Sequence, residues 1–213
     1  MRLVALFFAV VLIAPLAAGA EASPQQVSLS GTVVSTTPST LVIDTSSGRK
    51  TVSLNSKSRF FVVSKSSLND VAEGSFIGTA VAPGADGTFT STEVHIFAPA
   101  LRGTGEGFTQ MGGSGNHMMA NATVRTVAAP NMMANSTVRT VGAAGAGKTI
   151  TMTFPSGTKT IHIPSNVPVT YIEPGTPALL TRGAHVRVVA IANGTVVSAR
   201  FVLLGKNGMI PPA

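Results

Sequence analysis

Thr40-Leu41-Val42-Ile43-Asp44-Thr45-Ser46-Ser47-Gly48 and Thr149-Ile150-Thr151-Met152-Thr153-Phe154-Pro155-Ser156-Gly157 read as two versions of one segment. In both, side chains alternate in character and run into a Ser-Gly pair, the pattern of a strand entering a tight turn. The match continues without a gap: Lys50-Thr51-Val52 meets Lys159-Thr160-Ile161, and Gly74 meets Gly183. With two residues deleted, Asp86-Gly87-Thr88 then meets Asn193-Gly194-Thr195, and Val94 and Ile96 meet Phe201 and Leu203. Upstream, Gly31-Thr32-Val33-Val34 meets Ser136-Thr137-Val138-Arg139. Apolar positions held in phase over so long a stretch mark an internal duplication.

Each copy reads the same way. Strands at 27–35 and 40–45 precede a long, broken third strand at 50–63, a short helical segment at 64–71, and a hairpin at 75–82 and 88–97. Only 11% of the residues are charged and 5% are aromatic, while Gly, Ser, Thr and Val abound, which favours strands and turns over helices. Three strands, a short helix and two strands is the order of an OB-like barrel. The expected fold is therefore all-β: two tandem, small, five-stranded OB-like barrels, residues 21–98 and 132–213. A Gly/Met-rich linker, 99–131, joins them.

The first 20 residues read as a signal peptide. Arg2 supplies the positive end, 3–14 is an unbroken apolar run, and Ala18-Gly19-Ala20 fits a signal-peptidase site. That run is shorter than the ~20 residues a spanning helix needs. The expected location is periplasmic or secreted, with no transmembrane segment once the signal is removed. The chain has no cysteine, so an exported form must be held by its core alone.

The Ser-Gly turns, the segments ending at Gly74 and Gly183, and Leu101-Arg102-Gly103-Thr104-Gly105-Glu106-Gly107 between the copies occur together. In these features the chain resembles an uncharacterised family of secreted bacterial β-proteins, a domain of unknown function sometimes labelled metal transporter permease. The resemblance implies tandem OB-like modules and no activity. A permease needs several spanning helices, and the sequence has none to offer.

Within the linker lies a smaller duplication. Met118-Met119-Ala120-Asn121-Ala122-Thr123-Val124-Arg125-Thr126-Val127 recurs as Met132-Met133-Ala134-Asn135-Ser136-Thr137-Val138-Arg139-Thr140-Val141. The second barrel needs one first strand, and the copy ending at Val141 leads straight into the next strand. Gly142-Ala143-Ala144-Gly145-Ala146-Gly147-Lys148-Thr149 satisfies the phosphate-loop pattern, but an alternating strand follows the lysine where that chemistry needs a helix N-terminus. Only Glu173 follows as a carboxylate for magnesium, so no nucleotide is expected. His117, Met118 and Met119 have the soft donors that suit Cu(I), which makes copper-type handling the alternative function. Beyond that, no cofactor is expected.

No paired carboxylates or Ser-His-Asp pattern stands out, so no catalytic residue is named and a non-enzymatic protein is expected. The chain has no Trp and a single Tyr, too few stacking platforms for nucleic acid. Charge is uneven. Residues 21–98 carry five basic and six acidic side chains, and 99–213 carry nine and two. That asymmetry points to an anionic polymer or a cell-envelope partner. A hairpin turning on Asn193-Gly194 would set Val186 against Phe201, Val188 against Ala199, and Arg187 directly against Arg200. Opposed like charges destabilise a ladder, so Arg187 and Arg200, with His185 beside them, are the expected anion- or partner-binding site.

Overall fold

Alternation along the sequence becomes alternation in burial: in Lys148–Phe154, Ile150, Met152 and Phe154 are buried and the threonines between them are half-buried. The computed structural model describes residues 23–84, 88–110, 118–128, 147–154 and 156–212. Its strands are β1 (Gln25–Thr37), β2 (Thr40–Thr45), β3 (Gly48–Ser53), β4 (Arg59–Lys65), β5 (Phe76–Pro83), β6 (Phe89–Phe97) and β7 (Gly107–Gln110). They continue as β8 (Met118–Ala128), β9 (Lys148–Phe154), β10 (Gly157–Ile163), β11 (Val169–Pro174), β12 (His185–Asn193) and β13 (Val196–Gly205). Short 3₁₀ turns lie at Leu68–Asp70, Pro99–Leu101, Pro177–Leu179 and Lys206–Gly208.

The all-β composition holds, but the expected two tandem OB-like barrels do not. The strands form one continuous 13-stranded mixed sheet in the order β10-β9-β8-β5-β6-β11-β4-β13-β12-β1-β2-β3, with β7 on β8. The sheet curls back on itself at both ends, through β10–β6 and β13–β3. One closed loop of strands thus contains β1, β2 and β3 from the first half with β12 and β13 from the second. The other contains β8, β9 and β10 with β5 and β6. Neither half closes on itself. The cores are shared in the same way. Val33, Leu41, Ile43 and Val52 pack with Val186, Val188, Ala199 and Val202, while Ile77, Val94 and Ile96 pack with Val124, Ile150, Met152 and Ile161.

The expected tandem repeat is not borne out as two successive modules; the ladders that resemble each other draw their strands from both halves. β5–β6 sets Ile77 against Ile96, Thr79 against Val94 and Val81 against Ser91. β12–β13 sets Val186 against Leu204, Val188 against Val202 and Ala190 against Ala199. The residues equivalent to Val94 and Ile96 are therefore Val202 and Leu204, one position beyond the sequence alignment. Likewise β1–β2 pairs Val33 with Ile43 and β8–β9 pairs Val124 with Met152, each followed by a register shift.

The exchange runs through β4 and β11, which pair with each other in the middle of the sheet, Val63 against Ile172. β4 is apolar on both faces. Phe60 packs on one shared core, while Phe61 and Val63 join Ile172, Leu101, Phe97, Leu203 and Met209 in a third cluster on the opposite face. Fully burying a side chain of this kind contributes about 1.5–3 kcal/mol, so the crossing is itself a core.

Two details of the second half differ from expectation. The first-strand role belongs to Met118–Ala128, which pairs with β5, β7 and β9; the copy at 132–141 lies outside the described residues. In the last hairpin Asn193 pairs with Val196, so Gly194 and Thr195 form the two-residue loop. Gly194 has φ 57° there and Thr195 does not share the positive φ. That is the type II′ turn, which needs glycine at its first central position.

Both features are testable. Cleaving the chain at an engineered protease site within 111–117 should leave two fragments that co-elute under native conditions and part only on unfolding, because each loop of strands holds segments of both. Fragments that separate without denaturant would contradict the exchanged pairing. Deleting 118–131 should let the duplicate segment take the β8 position, bringing Ser136 to the fully buried site of Ala122. An unsatisfied hydroxyl there costs about 1–3 kcal/mol, so the deletion should lower the melting temperature and Ser136→Ala should restore it. A loss that Ser136→Ala leaves unchanged would mean the second copy does not substitute.

Candidate anion-binding surface

Between β3 and β4 the chain turns at 55–58, and its polar residues fix that turn. The Asn55 Oδ1 accepts the Lys57 N–H at 2.9 Å, and the Asn55 N–H donates to Ser58 Oγ at 3.1 Å. The Ser58 hydroxyl is buried and donates to the Ala199 carbonyl at 2.8 Å, which ties this first-half turn to second-half strand β13. β4 then runs parallel to β13 with Arg59 opposite Phe201. The Arg59 Nη1 donates to the Ser56 carbonyl at 3.2 Å, and its guanidinium remains exposed.

Arg200 arrives at the same place through a bulge. The β12–β13 register shifts between Val189 and Ala190, which leaves Arg200 without a partner residue. Ala199 and Val202 both point into the shared core. Arg200 and Phe201 between them consequently both take the outer face, the local twist a bulge imposes. Lys57, Arg59 and Arg200 are all exposed, and among the described residues none of them forms an ion pair. The equivalent bulge in the other loop of strands carries Thr92 beside Glu93, so the cation at the Arg200 bulge has no counterpart there.

The expected site residues are placed differently. Arg187 lies opposite Leu203 on one side and Ser30 on the other, not opposite Arg200, because the hairpin turns one residue later than expected and the bulge at Arg200 adds a further shift. Its side chain is half-buried and its Nη1 donates to the Pro212 carbonyl at 2.7 Å. Burial lowers the Arg187 pKa and Glu93 partly counters this; the residue anchors the C-terminal segment. His185 faces Thr32, with Nδ1 and Oγ1 3.5 Å apart. Of the expected trio, only Arg200 stands free at the surface. Arg59 and Lys57 lie in the other half of the chain from Arg200 and are not among the residues expected from the sequence. The signal for them was the acid-free run Arg49, Lys50, Lys57, Arg59 and Lys65.

Met118 and Met119 are neighbours in β8, and neighbours in a strand face opposite sides. Met118 packs against the shared core, so the two thioethers do not converge. His117 lies outside the described residues. Among the described residues no group of three or more His, Cys, Asp or Glu side chains could hold a metal ion. Of the phosphate-loop pattern, 142–146 is likewise outside the description. Lys148 begins strand β9, and its Nζ donates to the Val71 carbonyl at 3.1 Å.

One arrangement has the composition of a catalytic row. The His95 Nδ1 lies 2.6 Å from Thr170 Oγ1, and its Nε2 lies 3.5 Å from Glu93 Oε1. Thr170 sits mid-strand at 3% exposure, so its hydroxyl cannot meet a substrate. The row links β6 to β11. An open cleft of about 560 Å³ beside Val62, Leu179, Arg182 and Leu204 holds one carboxylate, Glu173, which is paired with Lys206 at 3.3 Å.

Among the described residues no helix is long and apolar enough to cross a membrane. No family model, no curated protein and no solved structure matches the chain. The resemblance to the secreted family of tandem OB-like modules is thus overturned, both by that result and by the single continuous sheet.

Proposed function

We propose that this is an exported, non-enzymatic protein that binds an anionic polymer of the cell envelope through Lys57, Arg59 and Arg200. The observation that carries the reading is that exposed Arg59 faces Phe201, the neighbour of exposed Arg200, with exposed Lys57 two residues from Arg59, and that among the described residues none of the three forms an ion pair. Repulsion between neighbouring cations makes the empty surface less favourable than the occupied one. A polymer carrying regularly spaced sulfate, phosphate or carboxylate groups relieves that repulsion and releases its own counterions. The formal net charge is +7 for the full chain and +6 without Arg2 of the leader; it draws such polymers to the molecule, and the local cluster sets where they bind.

The test is binding to a sulfated polysaccharide at low and at moderate salt. Wild type should bind more weakly as salt rises. Arg59→Glu with Arg200→Glu should lower affinity by about tenfold or more, a loss of roughly 1.4 kcal/mol, and flatten the salt dependence. Arg125→Glu with Lys159→Glu makes the same change in net charge elsewhere and should cost little. Equal losses for the two pairs would mean that net charge alone drives association. A wild type that does not bind would exclude the proposal.

A further inference from the structure

The two loops of strands are built alike except at one edge. β8 pairs with β5 along Met118–Thr123, and across its other edge Met118–Asn121 pairs antiparallel with β7. β1 pairs with β12 in the equivalent way: Leu29 faces Val188 as Ala120 faces Thr79, and Val27 faces Ala190 as Met118 faces Val81. β2 reaches only as far as Gly31. No described strand pairs with the other edge of β1 from Gln25 to Ser30.

The difference shows in burial. Ala120 beneath β7 is fully buried, whereas Leu29 in the equivalent place is partly exposed. The side chains around the edge differ in the same sense. The β7 residue Phe108 lies opposite Ala120. Its ring centroid is 4.9 Å from that of Phe89 and 5.5 Å from that of Phe154, and Lys159 Nζ lies 5.6 Å from it. At the matching positions of the other loop stand Val197, Thr45 and Lys50. Val197 pairs with Ala192 as Phe89 pairs with Pro83, and Lys50 pairs with Ile43 as Lys159 pairs with Met152. The seat is present and no described aromatic residue fills it.

The edge also lacks the devices that normally block strand addition. Gln25-Gln26-Val27-Ser28-Leu29-Ser30 has no charge and no proline, and its pairing with β12 has no bulge. We infer that the free edge of β1 is a docking site for an extended peptide segment of a partner protein. The segment adds antiparallel to Gln25–Ser30 and places an aromatic side chain opposite Leu29. Main-chain hydrogen bonds to the edge give affinity, as in other strand-addition complexes. The aromatic ring packs on Leu29 and Val197, with the exposed Lys50 ammonium above it as Lys159 stands above Phe108. β7 is the internal template for the segment's chemistry. The site shares no residue with the Lys57, Arg59 and Arg200 surface and is proposed independently of it.

The probe is a synthetic peptide of β7 and the two residues before it, Gly-Glu-Gly-Phe-Thr-Gln, added to the purified full chain and followed by amide NMR. Saturable shifts and increased amide protection are expected at Gln25–Ser30. A Phe-to-Ser peptide and a peptide with alternate amides N-methylated should both bind at least about tenfold more weakly, a difference of roughly 1.4 kcal/mol. Leu29→Lys in the protein should have the same effect; because Leu29 also packs on the shared core, a modest fall in melting temperature is expected with it, and Leu29→Ala, which keeps the edge uncharged, should weaken binding less. No response at β1 to millimolar peptide, or binding indifferent to N-methylation, would overturn the proposal. Protection of these amides before peptide is added would show the edge already covered and would also overturn it. A concentration-dependent dimer abolished by Leu29→Lys would give the edge to a second copy of the chain instead.

Discussion

Everything in this molecule hangs on the pairing of β4 with β11. Where Val63 meets Ile172, the corresponding residues of the two halves face each other, and the chain passes from one half's territory into the other's. The pairing is antiparallel, while β4–β13 and β11–β6 on its flanks are parallel. Each half therefore delivers its hairpin to the other half's three strands. Apolar side chains cover both faces of this crossing, so it cannot be peeled away like an ordinary surface strand. Removing Ile172 to alanine would leave a cavity on a face where Leu101 and Met209, from opposite halves, both rest.

The strands themselves were legible, since alternation at Thr149–Phe154 and Thr40–Thr45 survives directly as burial. Their partners were not. Two copies with the same apolar pattern offer each strand two chemically equivalent neighbours, one in its own half and one in the other. Pattern and turn chemistry select the kind of partner and leave open which copy supplies it. One signal did point to exchange. Phe60-Phe61-Val62-Val63 is a continuous apolar run, which calls for cover on both faces. A small barrel with a wet outer surface has no use for it.

The same ambiguity displaced the site. Arg187 and Arg200 looked opposed because Asn-Gly favours a turn centred on itself, whereas the hairpin turns on Gly194-Thr195 and absorbs the extra residue as a bulge at Arg200. The later turn and the bulge together moved the partner of Arg187 from Arg200 to Leu203 and left Arg200 next to Phe201, which faces Arg59. Reading charge by halves also hid the cluster, because first-half Arg59 begins β4, which lies beside the second-half strand β13 that carries Arg200. Chain position and spatial position part company wherever a fold exchanges segments. Charge is then meaningful only after the topology is known.

The distance along the chain between Thr32 and its neighbour His185 is 153 residues. At the usual rate of ribosomal synthesis, about 5–20 residues per second, β1–β3 would wait roughly 8–30 s for the strands that complete their core. During that interval a nascent chain presents Leu41, Ile43 and Val52 on an open sheet, with no finished unit behind it. A second nascent chain carries the same strands and can answer for the missing ones. Crowded synthesis thus favours interlocked oligomers over monomers, and a holding chaperone or slow release would favour the opposite outcome.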